Sequence, residues 1–209
     1  KVIGAGPANP VAIVDATANF EKAARDIVRG ASFDNNLMCT SEKCMVVEEK
    51  AADRFIFELL KNGVYYVKNE EEIQKLLDAA VTGDFVINKK LEGRSANEIL
   101  EYAGIPCNGT IKLIVAETER IHPFVTLELL MPLVPLVKAA DFEEALEIAL
   151  DVEQGYKHTA TIHSESIEHL NQAAKEMQTS VFVKNGPSFM GIGFDKEGHT
   201  SFTIATTTG

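Results

Sequence analysis

The 209-residue sequence is poor in cysteine, poor in positive charge and free of long apolar runs, and each shortage excludes a class of function. Its three cysteines, Cys39, Cys44 and Cys107, form an odd set without the paired spacing of a disulfide framework or a zinc site. A reduced, cytoplasmic setting is therefore expected, and no metal. Twenty Lys and Arg face 31 Asp and Glu, a formal charge of −11 at pH 7, so neither a nucleic acid nor an anionic membrane is an expected partner. No apolar run approaches the roughly 20 residues of a membrane span, and the first residues show no charged segment followed by a long apolar core. Long linkers, repeats and low-complexity stretches are also missing. An initiating methionine is absent too, and the chain opens inside a glycine-rich strand-turn and ends at Thr206-Thr207-Thr208-Gly209, which reads as a piece cut from a longer protein.

What is present is alternation. Residues 11 to 14 read as an apolar strand, and 16 to 29 as a helix with Phe20, Ala23, Ala24, Ile27 and Val28 on one face and Gly30 as its stop. Strand 44 to 48, helix 51 to 62 stopped by Gly63, strand 64 to 67 and helix 70 to 80 follow. Ser95-Ala96-Asn97-Glu98 has capping-box spacing and opens a short helix ending near Gly104. Strands at 111 to 116 and 133 to 138 precede a helix over 142 to 152 capped by Asp141. A strand at 158 to 163, a helix over 166 to 177 and a strand at 180 to 184 complete the pattern. Such alternation predicts an α/β fold: a mixed, mostly parallel sheet with helices on both faces and ample material for a core.

The opening Gly4-Ala5-Gly6-Pro7-Ala8 imitates a dinucleotide-binding turn, whose fingerprint needs glycines at its first, third and sixth places. The sixth place is Asn9, Pro10 follows, and residues 11 to 14 are strand-like where a helix would have to meet the pyrophosphate. The glycines therefore serve a tight turn rather than a flavin site.

Cys39 ends the run Phe33-Asp34-Asn35-Asn36-Leu37-Met38-Cys39, directly after the first helix and before an apolar strand. A thiol at a helix-to-strand turn has backbone amides on one side and an opening on the other, the setting of a usable thiolate, although isolated cysteines are more often core residues. Cys44 and Cys107 read as core or loop residues, Cys44 pointing into the sheet. Lys43, beside a strand, reads as a solvated surface residue, which leaves local backbone dipoles to activate Cys39. Read from its neighbours alone, Glu128 is equally a site residue or an exposed edge residue.

These segments, together with His122-Pro123-Phe124, Thr126-Leu127-Glu128-Leu129-Leu130-Met131-Pro132, Lys157-His158-Thr159-Ala160 and Phe182-Val183-Lys184-Asn185-Gly186-Pro187, resemble the aldehyde dehydrogenase superfamily in order along nearly the whole chain. The resemblance is to the catalytic domain of the CoA-acylating kind, of the propionaldehyde and acetaldehyde type that serves propanediol and ethanolamine utilisation. It implies one cysteine-bearing catalytic domain over 1–209, excised from a chain that also carries an NAD-binding domain, and a homo-oligomer. It implies NAD as cofactor, coenzyme A as co-substrate, a short aldehyde as substrate, and residence in the cytoplasm or a bacterial microcompartment.

The same resemblance implies roles for residues. Cys39 becomes the nucleophile, Glu128 the carboxylate on the ribose beside the nicotinamide, and Gly6 and Ala5 the turn lying against that ring. Met38, Thr40, His122 and Phe189 become lining of the substrate pocket, and His158 a structural residue. Leu130-Met131 stands where many hydrolytic relatives have Phe-Gly. Those relatives carry a glutamate base for water where Gly4 stands here, so a thioester on Cys39 is expected to await a thiol. Two alternatives stay open: a hydrolytic enzyme, if another carboxylate reaches Cys39, and a non-catalytic oligomerisation module in the isolated piece.

Overall fold

The structure, a computed structural model, describes residues 6–83 and 85–195. The elements in chain order are β1 (Val11–Val14), α1 (Phe20–Ser32), β2 (Cys44–Glu48), α2 (Glu49–Lys61), β3 (Val64–Val67), α3 (Glu70–Ala80), β4 (Val81–Thr82), β5 (Val86–Ile87), α4 (Ala96–Tyr102), β6 (Leu113–Glu117), α5 (Pro123–Thr126), β7 (Leu133–Ala139), α6 (Phe142–Glu153), β8 (Thr159–His163), α7 (Ile167–Met177) and β9 (Val181–Lys184). Seven strands form one sheet in the order β3-β6-β7-β2-β1-β8-β9, every pairing parallel. The remaining two, β4 and β5, pair antiparallel in a separate hairpin.

Alternation along the strands distributes the core. Ala12, Val14, Met45 and Val47 face α1 and α2, where Phe20, Ala23, Ala24, Ile27, Phe55 and Leu59 are buried. Val11, Ile13, Cys44 and Val46 face the other way, onto Phe142, Leu146, Ala149, Ala173 and Met177 of α6 and α7. Both faces being covered, the strands read as continuous apolar runs, as parallel sheets require. Each such Leu, Ile or Phe adds about 1.5–3 kcal/mol on burial. A third cluster packs α3 and α4 against Val67, Ile114 and Ala116.

The expected elements stand within a few residues of their positions, with differences that have local causes. The first helix starts at Phe20, because Asn19 caps it by accepting from Lys22 N, while Asp15 Oδ1 takes the Thr17 amide in a preceding turn. Gly30 is not its stop: the helix runs through it to Ser32. The expected capping box is present, with Ser95 and Glu98 bonded reciprocally. The β4–β5 hairpin and α5, which His122 caps through Nδ1 on Phe124 N, were not expected from the sequence.

Candidate active site

Because the sheet is parallel, everything that leads into a strand collects at one edge. Cys39, Lys43, Glu128 and His158 all immediately precede strands, β2, β7 and β8 in turn. The segment that carries Cys39 is built on an unusual backbone. Asp34, Asn35 and Asn36 have φ of 48°, 50° and 64°, three consecutive non-glycine residues in the left-handed region. That conformation costs about 1–2 kcal/mol per ordinary residue, and Asn and Asp tolerate it best. A bond from Ser41 N to Met38 O at 3.0 Å then closes a tight turn around Cys39, and Lys43 N and Cys44 N both donate to Pro10 O, at 2.8 and 3.3 Å. Cys39 is exposed at the tip of this turn.

Two further contacts tie this turn to the loop of Glu128. Asn35 Nδ2 donates to Gly93 O at 2.9 Å, and Gly93 N donates to Leu130 O at 3.0 Å. Leu130 itself is left-handed, with φ 50°, and Met131 behind it is fully buried. Glu128 is half-buried; its Oε2 accepts from Ala8 N at 3.4 Å, and its Oε1 accepts from no donor among the described residues. One carboxylate oxygen is thus open to accept from a bound ligand.

Electrostatically, Cys39 sits between opposed influences. Burial and the Glu128 carboxylate push its thiol up, while its own backbone amide and Lys43 pull it down. Lys43 corrects the sequence reading: it is not solvated but 2 % exposed, and its Nζ donates to Asn36 O at 2.5 Å and Asn36 Oδ1 at 2.6 Å. Burial lowers its amine to about 8, against the opposing influence of Glu128, Cys39 and Glu42. Glu42 is fully buried and is raised by that burial to about 7, although Ser188 N and Oγ bind its two oxygens at 2.9 and 2.8 Å.

The other sequence-derived positions lie as follows. Thr40 is buried beside Cys39, and its Oγ1 has no hydrogen-bond partner among the described residues, a polar atom that suits a bound ligand. Met38 and Phe189 belong to one apolar cluster with Phe33, whose ring lies 5.4 Å from that of Phe189. His122 caps α5 and borders a cleft of about 880 Å³ with Glu117, Lys138 and Glu144, at the carboxyl ends of β6 and β7, the edge opposite Cys39. His158 is buried, its Nδ1 2.8 Å from Thr159 Oγ1, and is lowered by burial and by the charge of Lys43. Gly6 lies in the described coil before β1; Ala5 and Gly4 lie outside the described residues. Cys44 is buried on the α6 face, as read, and Cys107 is half-buried.

Asp15, Glu48 and His169 are the one group among the described residues with metal-ligand chemistry. They sit at the carboxyl edge, where Thr17, Ser164, Ala16 and Lys50 already engage the carboxylates. No helix among the described residues is long and apolar enough to cross a membrane.

Sequence reasoning missed Asn36, Gly93 and Glu42. The run Asp34-Asn35-Asn36 is a legible sign of a left-handed turn, but nothing in the sequence shows that Asn36 holds Lys43 or that Gly93 joins two loops.

The fold is thus a parallel α/β sheet that carries an exposed cysteine at its amino edge, with a buried lysine and a half-buried carboxylate acting on it. The chain belongs to the aldehyde dehydrogenase family, whose model matches residues 3–194. It is 48 % identical over 210 residues to propanal dehydrogenase (CoA-propanoylating) of Citrobacter freundii, covering all of this chain and 45 % of that protein. The Rhodopseudomonas palustris propionaldehyde dehydrogenase solved with CoA and an acylated cysteine superimposes with a TM-score of 0.96 at 46 % identity, covering 100 % of this chain and 48 % of that one. A propionaldehyde dehydrogenase from the Clostridium phytofermentans fucose utilisation microcompartment gives 0.94 at 39 % identity, covering 99 % and 47 %. The chain thus spans about half the length of the relatives it matches.

Proposed function

We propose that this chain is the cysteine-bearing catalytic region of an enzyme that oxidises a short aldehyde to an acyl-CoA, with NAD as electron acceptor and coenzyme A as co-substrate. The observation that carries the reading is Cys39: exposed at a tight turn, where burial and Glu128 hold its thiol above the ordinary value and its own amide and Lys43 offset part of that rise. The similarity to enzymes that acylate CoA, one of them solved with an acylated cysteine, supports it.

In this mechanism the Cys39 thiolate attacks the aldehyde carbon, and backbone donors of the turn hold the oxyanion that forms. NAD, when bound, accepts the hydride that leaves that carbon, and Glu128 orients its ribose. A thioester remains on Cys39. The coenzyme A thiolate then attacks the acyl carbon, and the bond to Cys39 breaks with its electron pair returning to sulfur. One thioester replaces another, so the step runs either way according to supply. Glycine at position 4 supplies no carboxylate to activate water, which favours the thiol acceptor.

The rest of the reading follows from coverage and likeness. An NAD-binding domain in the whole protein accounts for the missing half of the nucleotide site, and this piece alone is then inactive. A cytoplasmic homo-oligomer, encapsulated as the microcompartment relative is, belongs to the same proposal. Met38, Thr40 and Phe189 would line the acyl pocket, whereas His122, at the opposite edge of the sheet, stands apart from it.

The test is NADH formation by the whole protein with propanal, with and without coenzyme A, beside Cys39→Ser. CoA-dependent turnover lost in the variant supports the proposal; equal turnover without coenzyme A points to a hydrolytic enzyme with a carboxylate base elsewhere, and turnover that survives Cys39→Ser refutes the role of Cys39.

A further inference from the structure

Lys43 is the least expected residue of the site, a cation almost wholly removed from water with no carboxylate in ion-pair contact among the described residues. An isolated buried ammonium is expensive to keep, and a group in that position ordinarily loses its proton unless its surroundings favour the charge. Here the surroundings are specific. Asn36 takes two of its three N–H bonds, through the backbone oxygen and the side-chain oxygen. Asn36 is fixed in turn: its Nδ2 donates to Ala31 O at 2.7 Å and to Glu42 O at 3.0 Å, and its left-handed φ of 64° turns its own carbonyl to the amine. The third N–H of Lys43 meets no acceptor among the described residues.

The titratable groups that face this amine come from three segments. Cys39 and Glu42 lie on its own loop, Glu128 on the loop before β7, and His158 at the start of β8. Among the described residues, Glu128 is the carboxylate that acts on Cys39, and it opposes the thiolate. It is itself half-buried, and Lys43 is the cation among the described residues that favours its charge. A thiolate and a carboxylate at one partly buried edge repel each other, and the ionised pair needs a cation between them.

We propose that Lys43, clamped by Asn36, is a positioning residue for the reaction at Cys39: its buried ammonium lets the Cys39 thiolate and the Glu128 carboxylate exist side by side. The left-handed turn Asp34–Asn36 is then the device that sets the cation in place. Nothing is oxidised or transferred; at neutral pH Lys43 holds its proton and acts through its charge alone. The inference rests on Cys39 being the nucleophile, but its test does not use turnover.

The experiment titrates the Cys39 thiolate in the whole protein by the pH dependence of iodoacetamide labelling, read on the Cys39 peptide by mass spectrometry. At pH 7, where Lys43 with its value of about 8 still carries its charge, Lys43→Met is expected to slow labelling about tenfold, the gap closing above pH 8 as the wild type loses that charge, and Glu128→Gln is expected to speed labelling. The double variant returns toward the wild type, which structural damage would not do. An unchanged labelling rate at pH 7 in a folded Lys43→Met protein overturns the proposal. Should that variant not fold, linkage supplies the reciprocal measurement: Cys39→Ser, at an exposed position, is expected to lower the Lys43 amine titration followed by 15N NMR, and no change there also overturns it. If Cys39→Ser keeps CoA-dependent turnover, the nucleophile assignment fails, while the Lys43–Cys39 coupling is still decided by these titrations.

Discussion

Gly30 and Glu42 occupy one space: a β-carbon on Gly30 would lie 2.2 Å from Glu42 Oε2. The glycine sits inside α1 because a buried carboxyl group from the loop after Cys39 needs the room, not because the helix ends there. Alanine at position 30 gains about 1 kcal/mol of helix propensity but displaces a carboxyl group held by Ser188. Overpacking of this kind costs about 1–3 kcal/mol, with the lost hydrogen bonds in addition. Gly30→Ala is therefore expected to lower stability by about 1–3 kcal/mol in urea unfolding, and a variant as stable as the wild type would show that the Glu42 pocket yields easily.

Glu42 also makes stability depend on pH. Burial raises its folded value from 4.5 to about 7, so between these values the unfolded chain ionises first and stability falls as pH rises. The slope is about 1.4 kcal/mol per pH unit, so the stability of the wild type relative to Glu42→Gln should drop by about 3 kcal/mol from pH 4.5 to 7. His163 acts oppositely: burial lowers it to about 4 from 6.5, and its contribution rises with pH over that window. The two largely cancel between pH 4.5 and 6.5, so the wild type is flatter there than either Glu42→Gln or His163→Gln. Urea unfolding of the three proteins at pH 4.5, 5.5, 6.5 and 7.5 measures this directly.

Gly93 joins the Cys39 turn to the Glu128 loop, and a side chain there is strained. Its φ is +68°, and a β-carbon there would lie 2.8 Å from Leu37 Cδ1. Gly93→Ala should destabilise the chain by about 1–3 kcal/mol through the positive φ and the contact. It should also slow Cys39 labelling at fixed pH, because Asn35 and Leu37 must shift. Thermal unfolding together with labelling separates the two effects.

The three thiols should differ in reactivity under native conditions. Cys39 is exposed, Cys107 is half-buried, and Cys44 is fully buried with its thiol pushed up by that burial. Only the thiolate reacts, so labelling is expected to follow Cys39, then Cys107, with Cys44 reached only on unfolding. Peptide mapping over a time course checks the order, and early labelling of Cys44 would mean that β2 opens.

Much of this protein was legible in its residues alone. Apolar periodicity carried β1, β2, β3 and α3 because parallel strands covered on both faces leave continuous apolar runs, and local capping chemistry at Ser95 and Asp141 marked two helix starts. Cys39 stood out by a local signal, its place at a helix-to-strand turn, whereas Glu128, evenly balanced on its neighbours alone, stood out only through the resemblance. Contacts between distant segments were not legible. Gly30 read as a helix stop because a glycine's neighbours in sequence do not include Glu42 or Ser188. Lys43 read as solvated because charge favours water unless the fold removes it, and only the packing of three loops at one sheet edge shows that it does. Local chemistry determined which elements form and which residues could react; the tertiary structure decided which charges share a low-dielectric edge, since those energies depend on distance through space and not along the chain.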